Sequence, residues 1–375
     1  MFAASSVALV FAIIWAASVA TDSVDLSRVV FVINSQPNSH HASIAESTAG
    51  RIRASLSASG VREPQHVYSA AHDDFLPLHG AWTYFPLIEA VAREFAGGVA
   101  DWFVFLEESA DVNLDKLAGV LSSHSSDDDV FVGHALADLD SVIQHHYAPP
   151  GELRFPQTDA GFVLSRAVVE RVREEYESMI KSQSSKFPKD FSIDPAYELA
   201  RMLEHLFDGD GVRGVTIKND TRLCLEADAE CAIYPRGRPD CASEDDEIAD
   251  LAASTLFAVK TCEKFHEERL PVVRETWANA ALNVEYFSET ADPKYGTVVL
   301  PGVRNTERGH CGKTVAILKF FNRHAEERGW KWLVIADDDT MLGVRRYVEM
   351  LSCYDPTEEI GEAAGIESFL TLWSD

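Results

Sequence analysis

The sequence predicts an α/β fold made of two tandem copies of one strand-and-helix pattern, the second copy incomplete. Three observations carry this expectation. Apolar, β-branched runs open both halves, Arg28-Val-Val-Phe-Val-Ile-Asn-Ser35 and Leu256-Phe-Ala-Val-Lys-Thr-Cys262. Each is followed by a second apolar run that ends in acidic or polar residues, Trp102-Phe-Val-Phe-Leu-Glu-Glu-Ser109 and Trp332-Leu-Val-Ile-Ala-Asp-Asp-Asp339. The intervals match, 72 residues from Val30 to Trp102 and 74 from Ala258 to Trp332. A repeat of this length marks a duplicated domain rather than a solenoid.

Residues 28–35 read as a buried strand because the run is continuously apolar and β-branched. Residues 101–109 read the same way and lead into a helix over 115–121. Gly161-Phe-Val-Leu-Ser-Arg-Ala-Val-Val-Glu-Arg-Val172 carries a strand-turn-helix pattern. In the second half the corresponding strands are 256–262 and 331–339, and the helix is 343–351. Strands alternating with helices imply a mostly parallel sheet, with chemistry at the carboxyl ends of its strands. The counterpart of 161–172 would fall beyond residue 375, so only the front part of the second copy is expected. Turn residues and an acidic cluster at 236–247 mark the boundary. They divide the chain into a first domain at 21–235, an acidic linker at 236–252 and a second domain at 253–375.

Composition narrows the function classes. At 46% apolar and 25% charged residues the chain is an ordinary globular one, which excludes wholesale disorder and a multi-span membrane protein. Its formal net charge of −27 argues against a nucleic-acid partner, because no positive field replaces the phosphate counterions. An anionic small molecule is not excluded, since a metal ion or a few local cations can reverse the field inside a cleft.

The first charge in the chain is Asp22. Before it, an apolar core from Val7 runs into Ser18-Val19-Ala20, the form of a secretory signal cleaved after Ala20. An uncleaved signal-anchor is the alternative, because the 21 uncharged residues can span a bilayer. In either case the rest of the chain faces an oxidising lumen. The six cysteines show no Cys-x-x-Cys pair, so disulfides are expected before a zinc site. Asn219-Asp-Thr221 is an N-glycosylation sequon.

The Asp337-Asp338-Asp339 triplet is the main chemical signal. Like charges at the end of an apolar strand repel, and a divalent cation removes the conflict. Hard carboxylate oxygens suit Mn²⁺ or Mg²⁺, which complete their shells with phosphate oxygens and water. Alternation along an extended chain puts Asp337 and Asp339 on one side and Asp338 on the other. Two competing motifs fail. Gly312-Lys313-Thr314 lacks the glycine a P-loop needs at position 307, which is Glu307. An aspartate-nucleophile phosphatase needs Thr or Val where Met341 stands, and a lysine downstream, yet none follows Lys331.

Phe257-Ala-Val-Lys-Thr-Cys-Glu-Lys-Phe-His-Glu-Glu-Arg-Leu270, Glu275-Thr-Trp277, Arg308-Gly-His-Cys-Gly-Lys-Thr314 and Trp332–Asp339 occur in the order and spacing of the fringe-like β-1,3-glycosyltransferases, which this chain resembles. The resemblance is specific in the second half and looser over 21–245. It implies two tandem nucleotide-sugar transferase domains of GT-A type, the first non-catalytic and the second incomplete. It also implies an inverting, metal-dependent transfer. The nearest branch of the family moves glucose from UDP-glucose to the 3-hydroxyl of O-linked fucose on thrombospondin type 1 repeats. By that resemblance Asp339 binds Mn²⁺ (Mg²⁺ as the alternative), while Asp338, Asp337 and Arg269 bind the donor. His310 and Lys313 either approach the donor or shape the turn that carries them. A disulfide between Cys262 and Cys311 would tie the first strand to that turn, and Trp277, Trp332 and Phe265 would be core. The implied location is the endoplasmic reticulum lumen, or its membrane as a single-pass type II protein if the leader is retained.

The chain departs from the family pattern in two places. Glu107, Glu108 and Ser109 align with the three aspartates, so the first domain is not expected to hold Mn²⁺. After Leu351-Ser-Cys-Tyr-Asp355 the residues no longer follow the family. No general base is assigned, Cys353 is expected to lack a partner, and the chain reads as a truncated and inactive form. The alternatives are a fringe-type transferase using another UDP-sugar, and a non-catalytic carbohydrate- or protein-binding module on the same fold.

Overall fold

A computed structural model describes residues 24–61, 67–71, 84–95, 97–142, 145, 148–182, 194–205, 214–237, 241, 245–303 and 310–358. The expected leader at 1–20 lies outside them, as does the non-matching tail of 356–375 beyond its first three residues. In the first part β1 (Val29–Ser35), α1 (Ser39–Ala58) and β2 (Val67–Ala71) are followed by α2 (Phe85–Glu94), β3 (Trp102–Glu107), β4 (Ala110–Val112) and α3 (Leu114–Leu121). Then come β5 (Phe131–Gly133), β6 (Ala135–Leu136), β7 (Phe155–Pro156), β8 (Phe162–Ser165), α4 (Arg166–Ser182), α5 (Pro195–His205), β9 (Lys218–Asn219) and β10 (Ile233–Pro235). The second part contains α6 (Asp245–Ala253), β11 (Thr255–Lys260), α7 (Leu270–Glu275), β12 (Val284–Ser288), β13 (Val298–Val299), α8 (His310–Arg328), β14 (Trp332–Asp337) and α9 (Val344–Leu351).

The two larger sheets have six strands ordered β2-β1-β3-β8-β5-β9 and four ordered β13-β12-β11-β14, and two-stranded sheets β10-β4 and β6-β7 accompany them among the described residues. β1 and β3 pair in parallel with Val30 opposite Phe103, and β11 and β14 pair in parallel with Ala258 opposite Ile335. The two expected strand pairs are therefore neighbours in each sheet. Continuous apolar runs are what a strand covered on both faces requires. Val30, Val32, Phe103 and Phe105 face one cluster with α2, α4 and α5, while Val29, Phe31, Ile33, Val104 and Leu106 face another with α1 and α3. Burial of each such side chain contributes about 1.5–3 kcal/mol. In the second sheet Phe257 and Val259 meet Leu270, Trp277, Val344 and Val348, and Ala258 meets Phe287 and Ile317 on the other face.

Local chemistry sets the helix starts. The Asn38 side chain accepts the His41 N–H at 3.0 Å and caps α1, and Asn113 caps α3 in the same way through Lys116 N–H. Part of the stretch read as an acidic linker forms α6, whose first turn holds Asp245, Asp246 and Glu247, where acids favour the helix dipole.

One expectation about the sheets holds and two about the cysteines need correction. The expected mostly parallel arrangement holds in both larger sheets, with β8 as the one reversed strand of the first, antiparallel to both β3 and β5. Among the described residues no α-helix lies between β5 and β8, only a 3-10 turn at Thr158–Ala160. The chain turns at Gly161 instead (φ +67°), where an added Cβ would lie 3.0 Å from the Phe105 carbonyl oxygen. Cys353 has a partner, Cys241, with Cα atoms 5.3 Å apart, and Cys224 is bridged to Cys231. Cys262 is a free, buried cysteine, so the bridge to Cys311 is not formed. The Cys262 side chain is packed at the end of β11, and the Cys311 side chain lies outside the described residues.

Candidate functional site

β14 ends at Asp337, and the chain turns through Asp338 and Asp339 at the carboxyl edge of the second sheet. Asp338 is buried, whereas Asp337 and Asp339 are exposed. The expected pairing of Asp337 with Asp339 on one side does not hold, because the strand ends at Asp337 and the turn brings Asp338 and Asp339 together. Asp338 Oδ2 accepts the Thr261 hydroxyl at 2.7 Å, and its Oδ1 accepts Arg269 Nη1 at 2.7 Å. The same guanidinium nitrogen donates to Asp339 Oδ2 at 2.8 Å. One cation thus holds two adjacent carboxylates. Asp337 stands apart from this group, paired with Lys260 Nζ at 3.0 Å.

Arg269 is aimed by its neighbours in the chain. It precedes α7, whose first turn contains Pro271, a residue suited to that position because its fixed φ is helical. Leu270 and Val273 anchor the helix in the core. The guanidinium lies 3.7 Å from the centroid of the Phe265 ring, within cation–π range. Phe265 is therefore not a core residue but the platform for Arg269. Its bond to Asp338 above all raises the Arg269 pKa, with desolvation opposing and both carboxylate charges adding.

Behind the turn, a second network fixes the strand ends. Thr261, which holds Asp338, offers its carbonyl oxygen to Lys313 Nζ at 2.6 Å. Lys313, buried in the first turn of α8, also donates to Glu289 Oε2 at 2.9 Å. Although burial pushes the Glu289 carboxyl up, hydrogen bonds from Lys313 and nearby backbone N–H groups hold it below the usual range. His266 bonds Ser288 Oγ through Nε2 at 2.8 Å and Asp292 through Nδ1 at 3.2 Å. Trp277, a core residue as expected, donates Nε1–H to the Thr340 carbonyl at 2.8 Å and pins the far side of the turn. Trp332 is only half-buried. Lys313 takes the shaping role of its two alternatives. The His310 side chain lies outside the described residues.

Thr261, Glu289 and His266 carry no motif of their own, and sequence reasoning missed them. A hydroxyl residue immediately after an apolar strand was the one available signal, for Thr261. Asn219 is exposed in β9, and its side-chain oxygen accepts the Ala135 N–H at 2.9 Å.

The donor set fits a hard divalent cation. Among the described residues the three aspartates do not bring three ligand atoms within 4.8 Å of one another. Mg²⁺-type ions take one or two protein carboxylates where phosphate oxygens and water supply the rest.

A profile of the Fringe-like family matches residues 80–204 and 251–364. The β-1,3-glucosyltransferase of Mus musculus is 35% identical over 349 residues, covering 91% of this chain and 67% of its own length. That of Homo sapiens is 34% identical over 355 residues, covering 91% and 66%. The β-1,3-N-acetylglucosaminyltransferase lunatic fringe of Danio rerio is 29% identical over 150 residues, 37% of each chain. The chain spans about two thirds of the length of the two glucosyltransferases it matches.

Proposed function

Because this chain belongs to the Fringe-like family of glycosyltransferases, we propose that its second sheet carries the donor and metal side of a β-1,3-glucosyl transfer. In that reading UDP-glucose is the donor, and O-linked fucose on thrombospondin type 1 repeats is the acceptor. Both sheets belong to related GT-A-type domains, and the protein works in the endoplasmic reticulum lumen. The observation that carries the proposal is the aspartate turn at the end of a parallel strand, with Arg269 spanning Asp338 and Asp339.

Asp339, the exposed one of the two carboxylates that Arg269 bonds, would hold Mn²⁺ or Mg²⁺. When bound, the cation supplies positive charge to the diphosphate that leaves. The chain's own residues do the positioning. Asp338, gripped by Thr261 and Arg269, presents a fixed acceptor for donor hydroxyls. Arg269 adds a second, permanent positive charge beside the developing diphosphate charge and needs no proton transfer to do so. Thr261, Lys313 and Glu289 keep that edge rigid before the donor arrives. The two disulfides support a compartment in which thiols are oxidised.

A competition experiment tests the donor. In the presence of Mn²⁺, UDP-glucose should displace labelled UDP from this chain more effectively than UDP-N-acetylglucosamine does. Preference for UDP-N-acetylglucosamine would transfer the reading to the lunatic fringe type of donor. Displacement by neither would leave a binding module in place of an enzyme site.

A further inference from the structure

The carboxyl end of the first sheet repeats the geometry of the second, and the second part of the chain closes it. Ser35, the last residue of β1, donates its hydroxyl to Glu108 Oε2 at 2.8 Å, as Thr261 does to Asp338. His41 stands where a cation faces the carboxylate in the other sheet, with Nδ1 bonded to Glu108 Oε1. Thr48 donates to the backbone carbonyl of Glu108 at 2.5 Å. Here the resemblance ends. The His41 side chain is 1% exposed, against 31% for Arg269.

The cover is Tyr354. Its hydroxyl lies 3.1 Å from His41 Nε2, and its ring meets His40 edge-on at 5.0 Å between centroids. A turn held by Thr357 bonds to Asp355 then delivers Glu358 to the start of α1. There its Oε2 accepts both the N–H and the hydroxyl of Ser39 at 3.0 Å, at the helix end that favours an anion. Cys353, beside Tyr354, is bridged to Cys241.

We propose that the carboxyl end of the first sheet is a socket for residues 353–358, and that this socket positions the aspartate turn of the second sheet through α9. The first half then acts as a positioning module and not as a second donor site. Glu108 and His41 are closed off where Asp338 and Arg269 are open, because Tyr354 occupies the face a ligand would need. The mechanical link is short. α9 has eight residues, about 12 Å of helix, and begins just after the turn. Its Val344, Val348 and Leu351 are buried. Trp277 fixes one end of this segment through Thr340, and the disulfide with Tyr354 fixes the other. A helix held in this way transmits displacement from its C-terminal end to the aspartates. The last step rests on the donor-site reading above, whereas the socket itself does not.

The test uses Tyr354→Phe, which removes only the hydroxyl, and His41→Gln. Two quantities are measured on the full chain: the affinity for UDP in Mn²⁺, and backbone hydrogen exchange over 344–351. Each variant should weaken UDP by about fivefold, at the low end of couplings between linked sites, and speed exchange across α9. The double variant should be no worse than either single one, because both act on one contact. Wild-type UDP affinity in a folded Tyr354→Phe protein overturns the positioning claim, whatever the exchange shows. If the unaltered chain binds no UDP, the donor-site reading fails. The exchange data then decide the socket alone, and unchanged protection of α9 in Tyr354→Phe refutes it.

Discussion

Arg269 holds Asp338 and Asp339 through one nitrogen while its planar face lies on Phe265. Lysine can reproduce the charge but not the contact of a planar guanidinium with the ring. Arg269→Lys should therefore bind UDP with an intermediate loss, and Arg269→Ala with a loss of about tenfold or more, the range of a hydrogen bond to a charged group. Calorimetric titration in Mn²⁺ measures both, and equal affinity for Arg269→Ala and wild type would remove this residue from the site. A second charged cluster makes a pH prediction. Asp101 bonds Arg28 at 2.7 Å and Arg166 at 2.7 Å, tying the starts of β1 and β3 to α4. The Arg28 hydrogen bond first of all holds the Asp101 carboxyl below its ordinary 3.8, against burial and with the charges of Arg28 and Arg166. A carboxyl lowered by folding contributes its full stability above pH 3.8, and that contribution disappears as pH falls through the lower native value. Asp101→Asn should thus be less stable near neutrality and show a flatter loss of stability in acid, measured by urea unfolding across pH.

At the scale of single elements, Gly161 is the sharpest case. Its positive φ and the 3.0 Å approach of the Phe105 carbonyl oxygen leave no room for a side chain at the entry to β8. Gly161→Ala should lower unfolding stability by about 1–2 kcal/mol or more, while a change at exposed Gly237 should be near neutral. The strands that position the site were readable because their composition leaves one choice: Val29–Ser35, Trp102–Glu107, Thr255–Lys260 and Trp332–Asp337 are apolar runs too short for buried helices. The direction of β8 was not readable. Strand direction depends on the connection, and the 2-residue strands β6 and β7 carry no periodic signal. In the site, Asp338, Asp339 and Arg269 were legible by motif. Thr261, Glu289 and the Phe265 platform were not, because their roles depend on which strand ends become neighbours. Cysteine pairing failed for the same reason. Cys241 and Cys353 are 112 residues apart, and only the fold brings α9 back beside the start of the second part.

Across the whole molecule, that long-range bridge fastens the segment after α9 to the stretch that precedes α6. In the chain-entropy view, closing a loop of about 100 residues is worth about 4.7 kcal/mol, with measured values commonly smaller. Replacing Cys241 and Cys353 by Ser should lower unfolding stability by about 2–5 kcal/mol, whereas replacing Cys224 and Cys231, which close a short loop, should do less. Equal effects from the two pairs would contradict the assigned pairing. The net charge of −27 describes the surface as a whole. At the aspartate turn the carboxylates meet two local cations, Arg269 and Lys260.

That arrangement makes one measurement decisive: titration of UDP into this chain with and without Mn²⁺, for the wild type and for Asp339→Asn. Tight binding should require Mn²⁺ in the wild type, and Asp339→Asn should fold normally yet bind UDP equally weakly in both conditions. Metal-independent binding in the wild type, or full metal dependence surviving in Asp339→Asn, would contradict the assignment of this turn as the metal and donor site.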